Sequence, residues 1–353
     1  MKKGSYSFVL ALFSGLFLLP AHLLAQTVVT TIQVGRSPRP IAVSPDGKRA
    51  YVGNAASGTV SVIDLSENKV IETINVGRGV RGVAVTPDGS RVFAANSGTN
   101  DVSVIDARSN KVTANVQGLM RPLGVFIEPK AKHEWADGSR LYVAQSGGRS
   151  VSLVDSRSLE VRDTIPVGVN PFTQAASPDL KTLYVSNTFS GDVTVIDVTR
   201  YMGNLSNRHV VTIPVGLAPH GIQFTPDGKR VFVNNSGDLS VSAIDVGKKT
   251  VIATIPLATE EQKSKLQRSD EGTFSIVGLV ITPDGRWVLS AMGSLDAISV
   301  VDAASLKMVD TIKVGRQPYW IALSPDGRTA YVANSGSGDV SVVDLGKRFA
   351  SAR

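Results

Sequence analysis

The chain has 353 residues with a formal net charge of +7; 42% of its residues are hydrophobic and 19% are charged. This balance supplies a large apolar core and excludes an extensively disordered chain. Because the sequence contains no cysteine, it excludes disulfides, thiolate metal sites, a cysteine nucleophile and a C-x-x-C-H haem attachment.

Residues 1–25 are predicted to be a secretory signal peptide. Two lysines precede an apolar run over residues 8–19, and Ala25 supplies the small residue expected at a cleavage site. A transmembrane anchor is the alternative, but the run is short for a spanning helix. We therefore expect cleavage, a mature protein without a membrane span, and a periplasmic or secreted location.

Residues 26–353 are predicted to form a single domain of seven repeats. The first full copy opens with Ser44-Pro45-Asp46-Gly47, in which proline presets φ, aspartate bonds its own backbone and glycine accepts a positive φ. Such a phrase is typical of a hairpin turn. Related turns begin at Thr86, Glu128, Ser177, Thr225, Thr282 and Ser324. Regular recurrence of one supersecondary unit indicates a repeat array.

Each turn is followed by the pattern of three further strands. An apolar strand leads to a small-residue loop, then to a period-two strand that ends in aspartate, then to a Thr-Ile-x-Val-Gly strand. Four short antiparallel strands are the blade of a β-propeller. The strand-end carboxylates are expected to form turns rather than to act in catalysis. They are Asp64, Asp106, Asp155, Asp197, Asp245, Asp302 and Asp344.

The two ends of the chain predict how the ring closes. Residues 26–35 have the pattern of a fourth strand with no blade before it, whereas no fourth strand follows Asp344. Pairing these ends would remove two exposed sheet edges. We therefore expect an all-β, seven-bladed propeller of four-stranded antiparallel blades, in which the N-terminal strand completes the last blade.

The phrase that ends the second strand of several repeats resembles the YVTN-type β-propeller repeat family. It reads Tyr51-Val52-Gly53-Asn54 in the first copy, and the fourth and seventh copies repeat it. Gln145 and Met292 stand where the third and sixth copies would have the asparagine. The resemblance implies a propeller like those of bacterial periplasmic and archaeal surface proteins, many of which have no assigned reaction.

Candidate binding residues lie in the loops that join the fourth strand of one blade to the first strand of the next. In a propeller these loops surround one end of the central channel, which we call the mouth face. One position per blade, the mouth column, varies between blades and is therefore free to carry function. It comprises Arg39, Arg81, Leu123, Phe172, His220, Val277 and Tyr319.

Further arginines are predicted around this column on the side of blades seven, one, two and three. They are Arg36, Arg78, Arg121 and Arg316, and Trp320 stands beside Tyr319. Arginine forks bind phosphates and carboxylates, and aromatic rings can stack on bases or sugars. The alternative is a solvated rim in which each arginine pairs with a local carboxylate or carbonyl, and both interpretations stay open.

Two other local patterns belong to the mouth face. His220 could serve as a base or a ligand, but a single histidine without a second ligand is a poor metal site, so a polar lining role is favoured. The charged insertion at residues 259–272 is expected to be a short helical lid or a solvated loop.

Two classes of function remain open on these patterns. The first is an exported, non-enzymatic binding module, a monomer without metal or cofactor, that recognises an anionic small molecule, single-stranded nucleic acid or a partner protein. The YVTN-type family is similar here, since it includes an enteric periplasmic propeller that binds DNA. The second is an enzyme or enzyme subunit, since similar folds include lactonases and large subunits of quinone-dependent dehydrogenases. Because the sequence offers no catalytic nucleophile paired with a general base, the binding module is favoured.

Overall fold

Each repeat folds into a four-stranded antiparallel sheet, and seven such sheets account for all the strands of the computed structural model, which describes residues 28–128, 140–199, 209–266 and 274–346. The predicted fold class is confirmed. The predicted signal peptide and residues 129–139 and 200–208 lie outside the described residues. No helix within the described ranges is long and apolar enough to cross a membrane.

The strands follow the same order in blades one to six, and the last blade takes its fourth strand from the start of the chain. Blade one contains β2 (Pro38–Val43), β3 (Arg49–Asn54), β4 (Thr59–Asp64) and β5 (Lys69–Asn75); blade two contains β6 (Val80–Val85), β7 (Arg91–Asn96), β8 (Asp101–Asp106) and β9 (Lys111–Val116). Blade three contains β10 (Pro122–Ile127), β11 (Arg140–Gln145), β12 (Ser150–Asp155) and β13 (Val161–Pro166); blade four contains β14 (Pro171–Ala176), β15 (Thr182–Asn187), β16 (Asp192–Asp197) and β17 (His209–Pro214). Blade five contains β18 (Pro219–Phe224), β19 (Arg230–Asn235), β20 (Ser240–Asp245) and β21 (Thr250–Pro256); blade six contains β22 (Ile276–Ile281), β23 (Trp287–Met292), β24 (Ala297–Asp302) and β25 (Lys307–Lys313). Blade seven contains β26 (Pro318–Leu323), β27 (Thr329–Asn334), β28 (Asp339–Asp344) and the N-terminal strand β1 (Val28–Gln33).

The ring closes through β1, as the chain ends predict. Strand β1 pairs antiparallel with β28, with Ile32 opposite Val340 and Thr30 opposite Val342. Ile32 is 4% exposed and packs in the apolar cluster between blades seven and one. The last sheet edge is therefore covered by the beginning of the same chain.

The first strands of neighbouring blades pack side by side around the channel, including β26 of blade seven against β2 of blade one. Their close approach explains the glycine that several blades carry at the third position of this strand. A Cβ on Gly82 would lie 2.2 Å from the carbonyl oxygen of Leu123. Glycine therefore sets how tightly blade two can pack on blade three.

In several blades, an arginine at the start of the second strand forms a hydrogen bond with the backbone of the next blade. Arg49 Nη1 donates to the carbonyl of Ala107 at 2.6 Å, and Arg91 Nη1 donates to the carbonyl of Ser156 at 2.8 Å. Arg140 and Arg230 make the same contact from blades three and five. The sequence does not reveal this role, because a charged residue before an apolar strand is equally typical of a solvated turn.

The asparagine of the repeat phrase is buried and ties the second strand to the third. Asn235 Nδ2 donates to Ser240 Oγ and to Ser242 Oγ, both at 2.9 Å. Blades one, two, four and seven repeat the pattern, and Gln145 Nε2 replaces it in blade three. In blade six the residue is Met292, and the buried hydroxyl of Ser299 has no partner among the described residues.

This difference predicts opposite outcomes for two equivalent serines. Ser242→Ala should lower the free energy of unfolding by about 1 kcal/mol, because it leaves a buried donor of Asn235 with one acceptor fewer. Ser299→Ala should be neutral or stabilising, because the lost hydroxyl is buried and has no partner among the residues described. Urea denaturation of the two variants tests the pair, and equal destabilisation would contradict this account of the repeat.

The strand-end aspartates form turns, as predicted. The carboxylate of Asp106 accepts the backbone N–H of Ser109 at 2.7 Å, and the other six accept a backbone N–H two or three residues ahead in the same way. The hydroxyl and backbone donors of Ser109 hold the pKa of Asp106 below its usual value. These carboxylates lie at the end of the channel opposite the mouth face, so they are remote from the candidate site.

Candidate functional site

Two arginines and a tyrosine from three different blades converge on the channel axis. The guanidinium carbon of Arg39 lies 4.9 Å from the ring centroid of Tyr319, and Arg81 Nη1 donates to the Tyr319 hydroxyl at 3.3 Å. Arg81 belongs to blade two and Tyr319 to blade seven, so the Arg81 side chain reaches past blade one to make this contact. The three side chains therefore form one cluster, which we call the axial cluster.

The axial cluster carries positive charge that nearby carboxylates do not neutralise. Arg39 Nε donates to Ser37 Oγ at 3.4 Å, whereas Arg81 Nε is buried and has no acceptor among the residues that the structure describes. Within the described residues, no ion pair includes any of the six arginines predicted at the mouth. In the described part of the chain, these arginines therefore lack the carboxylate partners that one form of the solvated-rim interpretation requires.

His220 occupies the same layer and is buried, with 4% of its surface exposed. The centroid of its ring lies 4.3 Å from that of Phe172, and its Nδ1 has no hydrogen-bond partner within the described ranges of the chain. Burial lowers the pKa of His220 to about 4. A hydrogen bond with the backbone of Ile276 raises this pKa, and repulsion from the positive charge of Arg81 lowers it further. The imidazole is therefore neutral at pH 7.

Two hydroxyls that the sequence analysis did not single out position His220. Thr173 Oγ1 donates to the His220 carbonyl at 2.7 Å, and Ser186 Oγ donates to it at 2.5 Å. Thr173 stands at the strand position that is glycine in blades two, three, five and six. This departure from glycine is the sequence feature that could have indicated a special role for Thr173.

His220 should make the stability of the protein depend on pH. Its folded pKa of about 4 lies below the ordinary 6.5, so the unfolded chain takes up the proton first and the free energy of unfolding falls as the pH drops from 7 towards 4. The full difference corresponds to about 3 kcal/mol. In the His220→Gln variant, the free energy of unfolding should fall less between pH 7 and pH 4, because the contribution of this histidine is absent. Denaturation of both proteins between pH 7 and pH 4 is the measurement, and parallel curves would contradict it.

The other predicted arginines lie farther from the axis. Arg36, Arg78 and Arg316 are exposed at equivalent positions, two residues before the first strand, and their carbonyls accept backbone hydrogen bonds from the loop after the second strand. Arg121 stands one position later, at a backbone φ of 49°. The structure therefore places these four around the axial cluster without bringing them into it.

Trp320 and the charged insertion lie away from the axis. Trp320 packs, partly buried, on the apolar cluster between blades seven and one. The start of the insertion forms the helix α1 (Glu260–Ser264), which Thr259 caps. It borders a cleft of about 500 Å³ lined by blade-six residues such as Met292 and Met308, not by the mouth column. The predicted short helix is present, and residues 267–273 lie outside the described part of the chain.

The described residues contain no group of three or more histidine, aspartate or glutamate side chains arranged to hold a metal ion. What the mouth offers instead is a pair of forked cationic donors, a tyrosine hydroxyl and a neutral imidazole. Such donors can bind carboxylates and phosphates through charge-assisted hydrogen bonds.

Comparison with known proteins supports the fold and leaves the ligand open. Residues 176–350 match the profile of the family described as Lactonase, 7-bladed beta-propeller. A solved structure titled Kuenenia stuttgartiensis Hydrazine Synthase is similar with a TM-score of 0.73 and 23% sequence identity, over 88% of this chain and 96% of that one. The chain matches none of the curated proteins. At this identity the structural likeness shows the propeller fold alone.

Proposed function

We propose that the protein is a non-enzymatic binding module that holds a small anion at the mouth of its channel through Arg39 and Arg81. The observation that carries this proposal is the axial cluster, in which two guanidinium groups meet at Tyr319 without a carboxylate partner among the described residues. Both arginines are partly buried, and a partly desolvated cation without a counter-ion is costly. An anionic ligand would relieve that cost and satisfy Arg81 Nε.

The position of the arginines favours a small ligand over a nucleic-acid strand. Arg39 and Arg81 meet at one point beside Tyr319 instead of following a groove that would track a phosphate backbone. The exposed Arg36, Arg78 and Arg316 around this point would raise the positive potential and attract anions to the channel. Single-stranded DNA binding at the mouth is therefore the less supported form of the proposal.

Calorimetric titration with inorganic phosphate and with butyrate tests the proposal. Arg39→Gln and Arg81→Gln should each weaken binding by about 10- to 100-fold, because each removes a charged hydrogen-bond donor. The matched control is the double variant Arg36→Gln/Arg78→Gln, which removes two charges from the exposed ring and should change affinity less than threefold. Equal losses in both sets, or none in either, would overturn the assignment of the site.

A lactone-opening enzyme is the second candidate, because the family match covers residues 176–350 and includes His220. In that reaction water adds to the lactone carbonyl, the ring C–O bond breaks and the released alkoxide takes a proton. His220 would relay the proton, and Arg39 and Arg81 would hold the carboxylate product. Turnover of a lactone panel that disappears in His220→Gln would support this candidate, and an inactive panel would leave the binding module.

We propose in addition that the protein is exported and that residues 1–25 are removed. The support is the charged start, the apolar run and the small residue at Ala25. The mass of the protein recovered from a periplasmic fraction should correspond to a chain that begins at Gln26. Recovery of the full-length chain from a membrane or cytoplasmic fraction would contradict it.

A further inference from the structure

The residues around the mouth divide into a basic half and an apolar half, and the division recurs at two distances from the axis. In the mouth column, arginine stands in blades one and two, whereas Leu123, Phe172 and Val277 stand in blades three, four and six. Two residues before each first strand, arginine stands in the loops that enter blades seven, one and two. At that position the loops entering blades three, four and five carry Met120, Val169 and Leu217.

The apolar half is exposed to solvent where it leaves the channel. Met120 is 58% exposed, Leu217 is 64% exposed and Phe189, in the loop after the second strand of blade four, is 65% exposed. Most other large exposed apolar residues of the described chain lie on the outer strands, at the rim of the ring. Exposed apolar side chains that cluster on one face mark binding surfaces.

The apolar half extends inward through Phe172 to His220. Phe172 is partly exposed and lies against His220, and the backbone N–H of Phe189 donates to the carbonyl of Val169 at 3.1 Å. Blade four therefore contributes an apolar ring beside His220 and an exposed apolar side chain at its loop tip. We call Met120, Phe172, Phe189 and Leu217 the apolar arc.

The charged groups on this side of the mouth face include Asp192 in blade four itself, whose partly buried carboxylate accepts a hydrogen bond from Asn187 Nδ2 at 2.7 Å. Arg121 and Arg149 are exposed in the loops of blade three, and the carboxylate of Asp238 accepts the backbone N–H of Leu217 at 3.2 Å. The carboxylate of Asp238 is therefore already hydrogen-bonded to the backbone of Leu217. A ligand that leaves the axis over blades four and five would meet mainly apolar surface.

We infer that the ligand of this site is an amphiphilic anion, whose carboxylate or phosphate binds Arg39 and Arg81 and whose apolar tail lies along the apolar arc. This inference rests on the proposed function, which accounts for the anionic end of the ligand, and adds an apolar tail. Charge on one half of the mouth and exposed apolar side chains on the other match a molecule with one anionic end. Each tail CH₂ that becomes buried should strengthen binding about fourfold.

Titration with butyrate and octanoate, below the concentration at which octanoate forms micelles, separates this inference from the proposed function. Octanoate should bind at least 10-fold more tightly than butyrate. The triple variant Met120→Ser/Phe189→Ser/Leu217→Ser should bind butyrate unchanged and lose most of the octanoate advantage. The matched control Ile71→Ser/Ile252→Ser/Val309→Ser changes exposed apolar residues of the outer strands and should keep the advantage.

The outcomes assign any failure to one step. Equal affinities for butyrate and octanoate would overturn the amphiphilic ligand while leaving the anion site, whereas no binding of either would remove both. Octylammonium binding as tightly as octanoate would also overturn the inference, because the tail alone would then account for affinity. Sedimentation velocity should show the same monomer for the wild type and the triple serine variant. A dimer that the serines dissociate would assign the arc to a second copy of the chain and overturn the inference.

Discussion

Replacing Ile32 with alanine is expected to lower the free energy of unfolding by about 2–4 kcal/mol. Ile32 lies in the first strand of the chain, yet it is buried in the core between the last blade and the first. If β1 completes blade seven, Ile32 is equivalent to Ile165 in the fourth strand of blade three, which is 2% exposed. Urea denaturation of Ile32→Ala and Ile165→Ala should therefore give similar losses.

The same closure can be tested by removing the strand. Deletion of residues 26–35 should expose the edge of β28 and leave the core between blades seven and one open to water. We expect loss of the single cooperative thermal transition or aggregation of the product. A deletion variant that stays monomeric with the heat resistance of the parent, or an Ile32→Ala variant as stable as wild type, would contradict ring closure by β1.

The double variant Arg39→Met/Arg81→Met should lose anion binding and gain stability. The loss should be at least about 100-fold for inorganic phosphate, because both charged donors disappear. Stability should rise by about 1 kcal/mol, because Arg81 Nε is buried without an acceptor in the described part of the chain and methionine keeps the apolar stem. Calorimetry and urea denaturation on the same preparations measure both effects.

The control is an arginine whose partner the structure shows. Arg91→Met removes the hydrogen bond from Arg91 to the carbonyl of Ser156 in the next blade, and it should lower stability by about 1–3 kcal/mol without changing phosphate affinity. If Arg39→Met/Arg81→Met instead destabilises the protein as Arg91→Met does, the axial arginines are structural. The anion-binding proposal would then lose its main support.

Sequence reasoning predicted the fold because each repeat carries its own turn chemistry and strand periods. The phrase at Ser44 forms a hairpin through local hydrogen bonds, and the same hydroxyl-to-aspartate bond recurs in the copies that begin at Thr86, Ser177, Thr225, Thr282 and Ser324. The unpaired strand pattern at residues 26–35 sufficed to predict closure, which the pairing of β1 with β28 confirms. Local chemistry and repeat count together leave few alternatives to a closed ring.

The site could be predicted only to the level of aligned positions. Counting along the repeats placed Arg39, Arg81 and Tyr319 in one column, but the reach of the Arg81 side chain across blade one depends on packing around the whole ring. Trp320 was grouped with its neighbour Tyr319, whereas alternation along β26 turns it towards blade one. The inter-blade bond of Arg91 was missed because its acceptor is a backbone carbonyl of the next blade, which carries no sequence signal.

A crystal structure of the protein grown with 4-bromobenzoate tests the central claim most directly. The carboxylate should lie about 3 Å from the guanidinium groups of Arg39 and Arg81, at the distance of a charge-assisted hydrogen bond. The anomalous signal of the bromine should lie on the side of Phe172. If 4-bromobenzoate binds elsewhere on the propeller and the axial arginines contact only solvent, the assignment of the channel mouth as the anion site is contradicted.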